Sequence, residues 1–183
     1  MSNKLLLIML KNKCTRNSNR NTIMNKPKII QYLFSNCFLL FIPVILFDIA
    51  FTKNLPEQYL KNISHIIVPI ETTVRMVLIA LSTIMKINIQ DKKGIIGWGI
   101  YIAGLFTYFV SYFVLINYAN TMIAENIILQ LSGYWTAMIW LIGIGLIGNR
   151  LFVNKVPYHY AGYIILSILF GILHTYYGYI LLA

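Results

Sequence analysis

Five ionisable side chains, Asp48, His65, Glu71, Arg75 and His174, fall inside or beside long apolar runs of the chain. A charge at the centre of a bilayer costs several kcal/mol, so such residues normally turn inward or pair with one another. Glu71 precedes Arg75 by four residues, the favourable order for an ion pair on one helix face. Arg is the residue type that grips an anion, and Glu and His are the types that titrate. His65, Thr72, Arg75, Ser82 and Lys86 share one face at helical spacing, a polar stripe on an otherwise apolar segment. His174 shares a side with Gly171 and Gly178, where a neighbouring helix can approach. Tyr108, Ser111 and Tyr112, together with Tyr134, Trp135 and Thr136, fall at a similar depth. The candidate polar pocket is therefore built from Asp48, His65, Glu71, Arg75, Tyr108, Tyr112 and His174.

What that pocket would do has three readings. Glu71 and Arg75 can simply neutralise each other and pin helices together. The cluster can bind or translocate a small solute, ion or lipid headgroup, with Arg75 as the anion-binding group. It can also be the centre of an intramembrane enzyme, although no acidic pair, H-E-x-x-H, G-x-S-x-G or Lys placed as a base accompanies it. Two histidines on different helices, His65 and His174, have the geometry of axial haem ligands in a bundle, but haem is not expected from so few histidines. Cys14 and Cys37 form no C-x-x-C, so neither a thiolate metal site nor a disulfide is expected.

One further motif is set aside. Residues 143–148 fit G-x-G-x-x-G, yet the dinucleotide fingerprint needs a strand-to-helix turn and a later acidic residue, and no Asp or Glu follows Glu125. These glycines read as helix-packing positions, like Gly99-x-x-x-Ala103 and Ser167-x-x-x-Gly171-x-x-x-Thr175. Gly99, Ala103, Gly143 and Gly171 are accordingly expected to pack the chain's own helices, or to meet a second copy or a partner membrane protein.

The elements that must position the pocket follow from composition. Of 183 residues, 58% are hydrophobic and 11% charged, with a mean hydropathy of +0.71. A soluble domain carries about a quarter charged residues, so the chain is not a water-soluble globule. Hydrocarbon forces every backbone polar group to be satisfied within its segment, and about 20 residues of helix cross the apolar layer. Five apolar runs, at about 29–51, 65–87, 94–118, 134–148 and 158–182, predict an all-α bundle of five transmembrane helices. The fourth is short, and the amphipathic stretch 122–131 either extends it or lies in the interface. Pro43 falls in the middle of the first run, where it should kink a helix, and Pro69 near the start of the second, where it is tolerated.

Twelve of the 15 basic residues lie on one side of that topology, seven of them in the acid-free tail 1–28. The positive-inside rule then places the N-terminus in the cytoplasm and the C-terminus outside. The tail reads as a disordered basic arm, and Met24 offers a second start before the first span. No loop is long enough to fold into a basic nucleic-acid surface, so none is expected as partner. A composition rich in Lys, Asn, Ile and Tyr suits an AT-rich bacterial genome and hence the inner membrane. The function expected from sequence is a non-enzymatic accessory, assembly or interaction protein. The alternatives are a small transporter or binding protein, and then an intramembrane enzyme.

Overall fold

The computed structural model describes residues 35–54, 66–118, 126–152 and 159–182. The tail 1–28 and His65 lie outside the described residues. Six helices and two very short strands follow in order: α1 (Ile42–Phe51), α2 (Ile67–Ile84), β1 (Met85–Lys86), α3 (Lys92–Asn117), α4 (Ile127–Gln130), α5 (Ser132–Ile147), β2 (Arg150–Leu151) and α6 (Tyr160–Leu182). A 3-10 turn over Cys37–Phe41 leads into α1.

Three helices, α2, α3 and α6, are long and apolar enough to cross a membrane. Their outward faces carry large apolar side chains, among them Ile95, Ile102, Phe106 and Phe113 of α3 and Ile165, Leu169 and Ile172 of α6. Such faces suit lipid and would aggregate in water. The other two apolar elements, Cys37–Phe51 and Ser132–Ile147, are shorter. At 1.5 Å per residue α5 is about 24 Å long, less than the ~30 Å hydrocarbon layer. It sits between α3 and α6 with Ala137, Trp140, Leu141, Ile144 and Ile147 buried, so protein rather than lipid surrounds it.

In the first apolar run a 3-10 turn over Cys37–Phe41 leads directly into α1, so the winding changes just ahead of Pro43, the second residue of α1. Of the two roles expected of the small residues, Gly143 and Gly171 take the one inside the bundle. A Cβ on Gly143 would lie 2.6–2.8 Å from the backbone and Cβ of Tyr101, and one on Gly171 would strike Met138. Gly99 and Ala103 are exposed, and nothing stands within 4 Å of a Cβ built on Gly99. Pro69, the third residue of α2, sits in its first turn as expected.

The seam between α3 and α5 is the closest approach in the fold. A Cβ on Gly97 would meet Ile147 N at 2.9 Å, and one on Gly104 would meet Trp140 N at 2.6 Å. The paired positions, 97 with 147, 101 with 143 and 104 with 140, run in opposite senses, so the helices are antiparallel. The rest of the 143–148 motif turns to other neighbours, Gly145 to Tyr163 and Ile164 of α6 and Gly148 to Met85 and Cys37. The glycines are packing positions, each serving a different element.

Hydroxyls along the helices are satisfied locally, as lipid requires. Ser82 donates to Ile79 O at 2.7 Å, Thr136 to Ser132 O at 2.6 Å and Ser167 to Tyr163 O at 2.8 Å.

At one end of the bundle β1 and β2 pair antiparallel, Met85 opposite Leu151 and Lys86 opposite Arg150, and Asn36 bridges to Lys86. Beside them Asp91 caps α3, accepting from Gly94 N at 2.8 Å through Oδ1. Its Oδ2 accepts from Asn149 Nδ2 at 2.6 Å and from Asn88 Nδ2 at 3.1 Å, while Asn88 also donates to Asn149 Oδ1 at 2.9 Å. This knot ties the α2–α3 connection to the end of α5.

Two predictions follow from the seam and the knot. Gly143→Ala must push α3 and α5 apart, and overpacking of this kind costs about 1–3 kcal/mol; Gly99→Ala, pointing into open space, changes stability by less than about 0.5 kcal/mol. Thermal unfolding in detergent separates the two. The backbone N–H of Gly94, helped by Asn149, holds the Asp91 carboxyl below its usual range. The stabilisation it gives is therefore complete above the unfolded value of about 3.9 and is lost as pH falls through the lower folded value. The midpoint difference between wild type and Asp91→Ala should be constant above about pH 5 and shrink on acidification below the unfolded value.

Candidate functional site

Glu71 lies in the second turn of α2 and is buried. Its Oε1 accepts from Arg75 through Nη2 at 2.5 Å and through Nε at 3.2 Å, closing the pair that the four-residue spacing predicts. His174 of α6 brings Nδ1 to 3.1 Å from the same oxygen, within ion-pair distance though not aligned as a hydrogen bond. The Arg75 guanidinium also lies 5.7 Å from the Phe170 ring centre. One buried carboxylate thus fastens α2 to α6. These contacts match 71 with 174 and 75 with 170, so these two helices are also antiparallel.

Across the bundle, the Tyr108 hydroxyl of α3 donates to Asp48 Oδ1 of α1 at 2.7 Å and stands 3.1 Å from the hydroxyl of Tyr112. Tyr101, one helical face further down α3, donates to Leu40 O at 2.7 Å. These two tyrosines hold the first segment parallel to α3. Phe47 fills the space behind them, with ring centres 5.5 Å from Tyr112 and 4.3 Å from Phe109.

Between the two polar groupings is a cavity of about 380 Å³. Asp48, Arg75, Tyr108, Tyr112 and His174 line it, and Phe41, Val44, Leu78, Trp140, Leu141 and Phe170 are among the apolar residues that complete it. Every long element contributes a wall. Six of the seven side chains singled out from sequence come together at or around this space. Five line it, and Glu71 stands behind Arg75 and His174 as their shared counter-charge. The seventh, His65, lies outside the described residues.

The neighbours expected at this depth divide. Tyr134 packs on His174 with ring centres 5.0 Å apart. Ser111 instead donates to Thr107 O, Thr136 to Ser132 O, and the exposed Trp135 lies toward Ile128 O, so these three do not line the cavity. Among the described residues no three His, Cys, Asp or Glu side chains gather as a metal site requires.

Sequence reasoning missed Trp140. It is buried, it lines the cavity, its ring meets Phe41 edge-on at 5.3 Å, and its indole N–H has no hydrogen-bond partner among the described residues. Buried Trp N–H groups ordinarily find an acceptor. Only the uniform hydrophobicity of its helix hid it, since a Trp in the interior of a span rather than at its ends is the available signal.

The arrangement offers a largely apolar chamber with donors, an acceptor and an imidazole among its lining residues. Compared with known proteins, the chain matches no family model, no curated protein and no solved structure.

Breaking a fully buried ion pair from one side costs about 3–5 kcal/mol, and a pair with one half-exposed partner costs less. Glu71→Gln should therefore lower stability in detergent by about 1–3 kcal/mol, and Arg75→Met should also destabilise, leaving Glu71 with His174 alone. The double substitution should recover most of the loss, a coupling readable from a thermal double-mutant cycle.

Proposed function

We propose that the protein is a small, non-enzymatic, multi-pass membrane protein that binds a small amphipathic solute in the central cavity. The observation that carries this reading is the buried Trp140 N–H without an acceptor in the wall of a roughly 380 Å³ chamber that Asp48, Arg75, Tyr108, Tyr112 and His174 also line. That volume is at the small end of ligand sites. The apolar walls suit the body of the solute. Trp140, with the Asp48, Arg75, Tyr108, Tyr112 and His174 side chains, suits a headgroup that carries an acceptor. Two carboxylates, Asp48 and Glu71, stand near one guanidinium, which leaves room for a cationic headgroup as well as an acceptor.

In this reading Cys37–Phe51 and Ser132–Ile147 complete a set of five crossings, with the N-terminus cytoplasmic and the C-terminus outside in a bacterial inner membrane. The distribution of charge supports it: Lys86, Lys92, Lys93 and Arg150 gather at one end of the bundle, and Lys53 follows α1 at the other. The polar residues of the cavity then belong to the outer half. A second reading, an accessory protein that packs on another membrane helix, is favoured by the exposed Gly99 and Ala103 on α3.

Phenethylamine and phenylacetate, two amphipaths with headgroups of opposite charge, test the binding reading. At about a hundredfold excess over its dissociation constant, a bound probe adds about 2.7 kcal/mol, which raises the thermal midpoint by roughly 5–10 °C for a chain of this size. Trp140→Phe should leave the ligand-free protein as stable or more so, since it removes an unsatisfied buried donor, and should weaken the shift. Ala137→Phe, which fills the chamber, should abolish it. A wild-type midpoint indifferent to both probes overturns the reading.

A further inference from the structure

Away from the cavity, at the end of the bundle where β1 meets β2, the charges are arranged against one another. The ladder sets Lys86 directly opposite Arg150, and like charges across a strand pair repel. Lys92 and Lys93 are the first two residues of α3, the positive end of a helix, where a cation is disfavoured. The acid nearest to them is Asp91; it attracts Lys93 and Arg150, yet it is a single negative charge among four cations, and its oxygens accept from Gly94 N and from Asn88 and Asn149. No other Asp or Glu stands at this end among the described residues.

These residues surround a cleft of about 400 Å³ lined by Asp91, Lys92, Lys93, Asn149, Arg150 and Tyr160. Lys93 is held at its edge, with Nζ 4.5 Å above the Tyr160 ring and 3.2 Å from the Tyr160 hydroxyl, to which it donates. The Asn88–Asp91–Asn149 knot fixes the floor. A single anion in this cleft would offset the charges of Lys92, Lys93 and Arg150, which line it.

We propose that the cleft is a binding site for a phosphate group, gripped by Lys92, Lys93 and Arg150. It lies at the ends of α3 and α6, two helices long enough to cross a membrane, which is the level of lipid headgroups and the place where basic pockets between helices take anionic lipid. The phosphate of an anionic lipid and free inorganic phosphate present the same chemistry to these side chains. The site shares no residue with the central cavity, so it stands or falls apart from the solute reading.

The full chain, purified in neutral detergent, is titrated with dioleoylphosphatidylglycerol, and retained lipid is read by native mass spectrometry. With each basic residue near the surface contributing on the scale known for anionic lipid, Lys93→Gln with Arg150→Gln should weaken retention about thirtyfold. Arg150→Lys, which keeps the charge, should retain most of the binding, and Lys53→Gln at the far end should change nothing. If millimolar inorganic phosphate displaces the lipid, the occupant is free phosphate; if it does not, the occupant is the lipid. Each outcome supports a phosphate site and names its source. Should the double variant fail to fold, the two single Gln substitutions carry the test, each expected to weaken retention about fivefold. Retention that is equal in wild type and the Gln variants, or equally weakened by Lys53→Gln, overturns the proposal.

Discussion

The close approach of α3 and α5 is the constraint from which the rest of the structure follows. With Gly97 and Gly104 on one helix and Gly143 on the other, backbone meets backbone or Cβ and no side chain intervenes. In lipid there is little hydrophobic gain from bringing helices together, so dense packing of this kind has to supply the attraction. The glycine seam also dictates where bulk can go. The side chains of Tyr108 and Trp140 lie outside it, and both line the cavity beside it. A chamber among the five apolar elements is thus a geometric consequence of the two central helices being pressed together along one line.

Glu71 imposes the second constraint, and it acts on the opposite side. A carboxylate this deep is stable only if it is compensated, and Arg75 alone is an incomplete answer because its side chain is 46% exposed while that of Glu71 is 4% exposed. His174 supplies the remaining contact from α6, and aromatic neighbours on both faces, Tyr134 and Phe170, hold its ring in place. The α2–α6 contact is therefore electrostatic where the α3–α5 contact is steric. A wall held by charges can respond to a proton or a charged guest. A wall held by backbone contact cannot, and the cavity lies between one of each kind.

How much of this was legible in the sequence depends on the range of each interaction. The Glu71–Arg75 pair needs only a helix and a spacing of four, and it was readable. That His174 turns toward a neighbouring helix followed from the glycines beside it, but that the neighbour across the gap would be α2 did not, because helix order in a bundle is not encoded in periodicity. Asp48 and Tyr108 were placed at similar depth by counting along their spans; their hydrogen bond rests on the first segment lying beside α3, which only the fold supplies. The segment before Pro43 reads as continuously apolar, yet it forms a 3-10 turn before α1, a change of winding that hydropathy does not register. The Asn88–Asp91–Asn149 knot was invisible for a different reason. It joins residues 58 and 61 positions apart in sequence, and its one local signal was an Asp three residues ahead of Gly94 at the start of an apolar run, the mark of a helix cap.

The two ends of the bundle solve the burial of polar groups in opposite ways, and the contrast is informative about function. Around Asp91 every polar atom of the acid and its two Asn partners is matched within the protein, so the knot can serve as a rigid floor and the unmatched quantity there is positive charge at the surface. Around Asp48, Glu71 and His174 the carboxylates have partners in Tyr108, Arg75 and His174, whereas the buried Trp140 N–H in the cavity wall has no acceptor among the described residues. A structural pin would be expected to end with its donors satisfied, since an unsatisfied buried N–H costs about 1–3 kcal/mol and a Phe at the same position would avoid it. Retaining an indole there is explicable if something with an acceptor occupies the chamber for part of the protein's cycle, and that is the physical difference between a cluster that only joins helices and one that binds.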